Sequence, residues 1–332
     1  MKAMILAAGF GTRLFPLTID RTKPAIPFLG KPLVGYVAEY LAKYGFNDVV
    51  VNLHHQPNSV KRALGDGTDF GVNIHYTHEE PNILGTAGAL DNARQLLEDE
   101  TFLIANGKII TDIDINAALE THRNSGALAT MVLKENAGFE KFTEVFVDDG
   151  HVSGFGEGFP NRSNARNPES EFPMMVTGIH ILEPRVFEYI PRGVYSDIVP
   201  TFYTPAIKKG EKIAAHVASG KWFELSTIPR YLDISLDMQN GASNRNIIGE
   251  NSDIDETASI KDSVVWDNVR IENGAKLSHT IICDDVVIKE GESYENVAIV
   301  KGSMLEHCGE IPEKALQGEM VGDNYVVHLD RG

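Results

Sequence analysis

The segment Leu6-Ala7-Ala8-Gly9-Phe10-Gly11-Thr12-Arg13-Leu14-Phe15-Pro16-Leu17-Thr18, followed by Thr22-Lys23-Pro24, gathers residue types that can do phosphate chemistry. An apolar strand runs into two closely spaced glycines, so backbone N–H groups of the turn can approach phosphate oxygens, while Arg13 and Lys23 add charge-assisted contacts. That combination suits a triphosphate. Leu14 stands where a dinucleotide fingerprint needs its third glycine, and no Gly-Lys-Ser/Thr follows as in a P-loop. A turn whose glycines serve packing alone explains Gly9 and Gly11 but not Arg13 and Lys23.

The elements that must position this turn alternate through the first half of the chain. Lys2–Ala7, Asp48–Leu53, Val72–Tyr76, Phe102–Asn106 and Ala127–Leu133 read as strands, with Val34–Tyr44, Pro57–Leu64, Thr86–Leu97 and Ile113–Ser125 as helices between them. Such alternation predicts an α/β fold, a mostly parallel sheet with helices on both faces, and ligands beyond the carboxyl ends of the strands. Phe142–Val147 and His151–Phe155 flank Asp148-Asp149-Gly150, a hairpin signal. The polar stretch Asn161–Glu171 reads as a loop, Ser196–Lys209 and Pro229–Asn240 as helices, and Asn-Gly-Ala-Ser-Asn-Arg before Asn246 as a boundary.

Beyond that boundary the chain repeats every 17 residues: Ile254, Ile271 and Ile288; Val265, Ile282 and Ile299; Trp266, Cys283 and Val300. Subsidiary spacings near six, as from Ile254 to Ile260, point to a three-sided parallel β-helix with aliphatic corners stacked turn on turn.

Composition narrows the function. The 332 residues carry a formal net charge of −17, which argues against a general nucleic-acid binder. Residues 1–38 nevertheless carry +4 and residues 249–332 carry −11, so a cationic island in an acidic chain awaits a compact polyanion. No apolar run reaches the roughly 18 residues of a membrane helix, and the short apolar start does not read as a cleaved signal, so a cytoplasmic setting is expected. Cys283 and Cys308 are too few for a disulfide framework, and His54 and His55 lack a third ligand at zinc spacing. Cys283 reads as a core residue. An acyltransferase on the β-helix using His279 is disfavoured, because about three turns make too short a prism.

The signature Leu-Ala-Ala-Gly-x-Gly-Thr-Arg-Leu-x-Pro-Leu-Thr with its downstream Lys-Pro resembles that of the sugar-1-phosphate nucleotidyltransferases. Gly30-Lys31-Pro32-Leu33, Leu84-Gly85-Thr86-Ala87-Gly88-Ala89-Leu90, and Trp222 with Thr227-Ile228-Pro229 are similar to further family segments. Mannose-1-phosphate guanylyltransferases with a short left-handed β-helix tail are the most similar branch. The resemblance implies a Rossmann-like, mixed, mainly parallel nucleotidyltransferase domain over 1–240, a linker over 241–248, a left-handed β-helix over 249–304, and a cap or oligomer-contact tail over 305–332. It also implies that a sugar phosphate oxygen attacks the α-phosphorus of a nucleoside triphosphate and pyrophosphate leaves. GTP with mannose 1-phosphate is the first pair, and UTP or dTTP with glucose 1-phosphate the second. By the same resemblance Leu6, Ala8, Gly9, Gly11, Thr12, Arg13 and Asn106 hold the nucleotide, with Arg13 and Lys23 catalytic. Gly85, Thr86, Ala87 and Gly88 line base and ribose, and Thr177 and Gly178 border the sugar. Glu79 or Glu80 is a candidate acceptor for a guanine edge. A homo-oligomer is expected.

Three polar positions depart from the family pattern. Asn106-Gly107-Lys108 stands for Asn-Gly-Asp, whose Asp binds Mg²⁺; Glu224 stands for the partner Asp; and Glu157-Gly158 precedes Phe159-Pro160 where the family has Glu-Lys-Pro. Two readings follow. In one, the chain is a transferase whose Mg²⁺ is carried by the triphosphate, Glu224 and Asp112, with Lys108 supplying some of the missing charge. In the other, it is a nucleotide-sugar-binding paralogue with impaired catalysis and a regulatory or scaffolding role.

Overall fold

The computed structural model describes residues 1–156, 170–239 and 245–329. Residues 157–169, which include Glu157 to Pro160 and most of the stretch Asn161–Glu171 expected to be a loop, residues 240–244 of the expected boundary, and residues 330–332 lie outside them. Along the chain, β1 (Ala3–Leu6), α1 (Leu33–Lys43), β2 (Asp48–Leu53), α2 (Pro57–Leu64), β3 (Asn73–His78), α3 (Gly85–Asn92), β4 (Phe102–Asn106), α4 (Ile115–Ser125) and β5 (Ala129–Glu135) follow the alternation in the sequence. The hairpin β6 (Glu144–Asp148) and β7 (His151–Phe155) turns through Asp149 and Gly150 at φ 47° and 69°, the left-handed pair such two-residue turns require. Strands β8 (Met174–Leu182) and β9 (Ile213–Val217) and helix α5 (Ile228–Asp237) complete the set. The helix read over 196–209 is shorter, a π turn over Val199–Tyr203 running into an α turn over Thr204–Lys208.

The chain forms two compact units. The first comprises Met1–Gly9, Val34–Pro57 and Leu64–Trp222. It is built on a nine-stranded sheet in the order β3-β2-β1-β4-β8-β5-β9-β7-β6. Strands β3, β2, β1 and β4 are mutually parallel, whereas β8 runs antiparallel to both β4 and β5. The sheet is therefore mixed: β3–β2, β2–β1, β1–β4 and β5–β9 pair parallel, whereas β4–β8, β8–β5, β9–β7 and β7–β6 pair antiparallel. Its core includes Met4, Val50, Leu90, Leu97, Phe102, Ile104, Met131 and Phe202, all at most 1% exposed. Burying such a side chain contributes about 1.5–3 kcal/mol.

The second unit comprises Phe10–Leu33, Asn58–Ala63 and, among the described residues, the chain from Phe223 onward. Its body is the β-helix. Three columns of short parallel strands are paired with a 17-residue offset, as in Ile254 with Ile271 and Ile271 with Ile288. Two corners of each coil take left-handed backbone at non-glycine residues, in the columns Asn251, Asn268, Asp285 and Asp262, His279, Asn296. Asn and Asp tolerate that conformation best, which accounts for their recurrence. His279 is thus a corner residue. Val265, Ile271, Leu277, Ile282, Ile288 and Ile299 fill the interior, and Cys283, 3% exposed, joins the buried set. The interval 241–248 does not end as a linker, since Ile247 and Ile248 pair with Val264 and Val265 as the first rung. The tail folds into a hairpin, Gly318–Val321 with Asn324–His328, whose second strand adds antiparallel to Val297–Lys301 and covers an edge that would otherwise be unpaired.

Candidate functional site

In the first unit, β1 delivers Leu6 to the carboxyl edge of the sheet, and Ala7 and Ala8 follow almost wholly buried. The Ala7 N–H donates to Asn52 Oδ1 at 2.8 Å, and Asn52 Nδ2 donates to Glu79 Oε1 at 2.6 Å. The second oxygen of Glu79 accepts the Leu84 N–H at 2.6 Å. Asn52 and Glu79 are 3% and 1% exposed, so this chain of bonds is a buried brace from the phosphate turn to the loop that opens α3. Both Glu79 oxygens are engaged there, and its candidacy as a guanine acceptor is corrected to a structural one; Glu80 is exposed. A Cβ added at Gly9 would meet nothing within 4 Å, so packing does not require that glycine.

The loop Gly85–Gly88 packs against the 194–198 segment. The Ser196 carbonyl accepts the Ala87 N–H at 2.9 Å and the Gly88 N–H at 3.1 Å, and the Thr86 hydroxyl accepts the Ile198 N–H at 2.8 Å. A Cβ at Gly85, whose φ is 73°, would lie 2.7 Å from the Ser196 carbonyl oxygen, and one at Gly88 2.8 Å from that of Val194. Close passage of the 194–198 segment therefore demands both glycines. The amides of Ala87 and Gly88, residues expected to line base and ribose, both donate to the Ser196 carbonyl.

Asn106 ends β4 beside β8, where the register against β5 shifts between Val176 and Ile179. Within that bulge Gly178 adopts φ 81°, and a Cβ there would overlap the Asn106 side chain, so the two proposed site residues are brought together. Thr177 is not available to a sugar. It is fully buried, its hydroxyl donates to the Val132 carbonyl at 2.7 Å, and its carbonyl accepts the Trp222 indole N–H at 2.9 Å. Lys108, two residues past the end of β4, is half-buried. Asp112, proposed as a metal ligand, is exposed and accepts the Lys221 N–H at 2.5 Å, which makes it the anchor of the Gly220–Lys221 turn.

The second unit carries the remainder of the signature. Gly11, at φ 69°, opens a single 3₁₀ turn over Thr12–Leu14 whose first amides have no intrahelical acceptors. A Cβ at Gly11 would press on Lys23 Cβ and Thr18 Cγ2 at 3.1 Å, so the glycine lets the turn lie against the lysine. Arg13 is exposed, whereas Lys23 is 7% exposed, on the 3₁₀ turn Lys23–Ala25. Thr22 precedes that turn, fully buried, and its N–H donates to Ser59 Oγ at 3.1 Å. The Lys23 ammonium lies 3.7 Å from Glu224 Oε1 on the strand Trp222–Glu224, and the Arg230 guanidinium holds the Glu224 carbonyl at 2.8 Å. A buried cation and carboxylate in this relation can exchange partners with an incoming phosphate or cation.

Among the described residues no three His, Cys, Asp or Glu side chains assemble as a metal cage. A Mg²⁺ ion is commonly held by one or two carboxylates, substrate phosphates and waters, and the Glu224 carboxylate fits that use. Lys108 has only donors and does not match the role, whereas Asp112 accepts the Lys221 N–H through Oδ1 and retains Oδ2 as an acceptor. No helix is long and apolar enough to cross a membrane among the described residues.

A nucleotidyl transferase family model matches residues 2–241, and a GlmU-like C-terminal hexapeptide model matches 236–294. The chain belongs to the nucleotidyl transferase family, with a left-handed β-helix of hexapeptide type at its carboxyl end. Mannose-1-phosphate guanylyltransferase 1 of Arabidopsis thaliana is 33% identical over 282 residues, covering 78% of this chain and 73% of that one. A UTP–glucose-1-phosphate uridylyltransferase of Synechocystis is 33% identical over 244 residues, 70% of this chain, and the chain spans 61% of that relative's length. A solved structure titled as a putative glucose-1-phosphate thymidylyltransferase from Bacillus anthracis shares the fold with a TM-score of 0.59, at 24% identity, over 72% of this chain and 94% of that one.

Proposed function

We propose that the protein joins a nucleoside triphosphate to a sugar 1-phosphate, with GTP and mannose 1-phosphate the favoured pair and UTP with glucose 1-phosphate the second. The observation that carries this reading is the Lys23–Glu224 pair, buried behind the Gly11 turn in a chain of this family. A phosphate oxygen of the sugar 1-phosphate attacks the α-phosphorus; that P–O bond forms as the α–β bond breaks, and pyrophosphate leaves with the electron pair. The chain's contribution is to position the reactants and balance their charge. Backbone amides around Gly9, Gly11 and Thr12 hold the triphosphate, Arg13 closes on it, and Lys23 neutralises charge on the departing phosphates. Glu224 keeps the Lys23 ammonium in place and is the carboxylate that would hold a divalent cation, which supplies further neutralisation of phosphate charge when bound. Asn106 belongs to the nucleotide side, and Gly178, packed against it, borders the sugar.

Lys108 favours a second reading, a nucleotide-sugar-binding paralogue with impaired turnover, because an ammonium offers no lone pair to a metal. Pyrophosphate release with Mg²⁺, measured across GTP, UTP, dTTP, ATP and CTP against mannose and glucose 1-phosphates, separates the two. Turnover by the unmodified chain supports the transferase. Nucleotide binding without turnover, with activity gained in Lys108→Asp, supports the paralogue.

A further inference from the structure

From Phe10 onward the signature belongs to the same compact unit as the hexapeptide coils, and a specific set of side chains joins the two. Arg21 lies two residues before Lys23, with its side chain 18% exposed. Its Nε and Nη2 donate to the two oxygens of Asp20 at 2.8 and 2.9 Å, and Nη2 also donates to Asp284 Oδ2 at 2.6 Å. The same guanidinium sits over the Trp266 ring, 5.1 Å from its centroid. Asp284 and Trp266 come from successive coils. Asp284 Oδ1 accepts the Asp267 N–H at 3.0 Å, so one carboxylate locks two coils together and grips the loop. Trp266, 4% exposed, donates from its indole to the Tyr231 hydroxyl at 3.0 Å, and Tyr231 donates to the Pro27 carbonyl at 2.7 Å. The coils thus hold the loop on both sides of Lys23, at Arg21 and at Pro27.

We infer that the β-helix is a working part of the nucleotide site, with Asp284 and Trp266 as positioning residues that fix Lys23 through Arg21 and Pro27. A merely appended coil would need no partly buried charge on its loop-facing side, where the Asp284 side chain is 20% exposed. Asp284 instead gives up solvation there, and burial raises its carboxyl above the usual range while the Arg21 cation counters it. The arrangement makes sense if a displacement of the Lys23 ammonium by an ångström is costly, as it is for a group that must meet transferring phosphates. The inference rests on the proposed role of Lys23, and its test reads the tether separately from turnover.

The test compares Asp284→Ala, Asp284→Glu, Trp266→Phe and, as a coil control outside the tether, Arg270→Ala, whose side chain is 62% exposed. Amide hydrogen exchange of peptides spanning residues 12–27 reports the tether directly. Exchange there is expected to rise about tenfold or more in Asp284→Ala, with β1 to β4 unchanged. For the nucleotide and sugar phosphate pair that turns over, kcat is expected to fall about 10–100-fold with the sugar phosphate KM within about twofold. Asp284→Glu recovers part of the loss, Trp266→Phe shows a smaller loss of the same pattern, and Arg270→Ala matches the unmodified chain. Raised exchange confined to the coils, or raised exchange over 12–27 with kcat unchanged, overturns the inference. If no pair turns over, calorimetric titration with MgGTP and MgUTP replaces kcat; unchanged affinity in Asp284→Ala then overturns it, and a loss of about tenfold or more sustains it.

Discussion

Replacing Glu79 by glutamine isolates the brace between the phosphate turn and the α3 loop. Two donors, Asn52 Nδ2 and the Leu84 N–H, converge on the two carboxylate oxygens at 2.6 Å each, in a site 1% exposed. A carboxamide has one acceptor oxygen, so in Glu79→Gln one of those donors must face an NH₂ group. The loss combines one charge-assisted bond, about 1.5–3 kcal/mol, with a buried donor left unsatisfied, about 1–3 kcal/mol. A cost of about 2–4 kcal/mol is expected once local relaxation is allowed for. Urea unfolding should show the midpoint falling with the slope unchanged, and the nucleotide KM should rise because Asn52 also holds the Ala7 amide. In a cycle of Asn52→Ala, Glu79→Ala and the pair, the double variant should cost less than the sum by about 1 kcal/mol or more. A Glu79→Gln loss below about 0.5 kcal/mol with additive singles would refute the brace, since only an exposed or unbonded carboxylate behaves so.

Further outcomes follow from the same geometry. Gly9→Ala should leave stability within about 0.5 kcal/mol by thermal unfolding yet raise the nucleotide KM, because the space at its Cβ is open. Gly88→Ala should instead destabilise by about 1–3 kcal/mol, since its Cβ would press on the Val194 carbonyl oxygen at 2.8 Å. Lys23→Ala should lower kcat about 10²–10³-fold in pyrophosphate release, the scale of losing a preorganised charge-stabilising group. His180 is buried against the Tyr203 hydroxyl at 2.7 Å, and burial lowers its pKa to about 4. The unfolded chain therefore takes up the proton first, and stability is lost as pH falls from about 6.5 toward about 4. His180→Gln should flatten urea stability across that window relative to the unmodified chain.

The sequence discloses most where the backbone itself imposes a period. The 17-residue columns translate into strand pairing because stacked coils must repeat their aliphatic rungs and their left-handed corners together. The alternation up to β5 is legible for the same reason, one apolar run per strand. Strand β8 is harder to read, since Met174–Leu182 is a continuous apolar stretch broken by Thr177 and Gly178, and its antiparallel place between β4 and β5 has no local signature. The site divides along a similar line. Gly9 and Gly85 look alike in sequence, yet one borders open space and the other the Ser196 carbonyl, a contact 111 residues away along the chain. Asn52, absent from the motif reading, joins Ala7 to Glu79 across 45 and 27 residues, and nothing around it signals that bond. The partners of the Thr177 hydroxyl and the Asp112 carboxylate, Val132 and Lys221, lie 45 and 109 residues away, and nothing around Thr177 or Asp112 signals those bonds.

The most direct test of the central claim is pyrophosphate release by the unmodified chain with Mg²⁺ across the nucleotide and sugar 1-phosphate matrix, with Lys23→Ala alongside. Turnover is expected with at least one pair, GTP and mannose 1-phosphate first, and is lost in Lys23→Ala while the protein stays folded. Absence of turnover with every pair, or turnover that Lys23→Ala leaves intact, would contradict it.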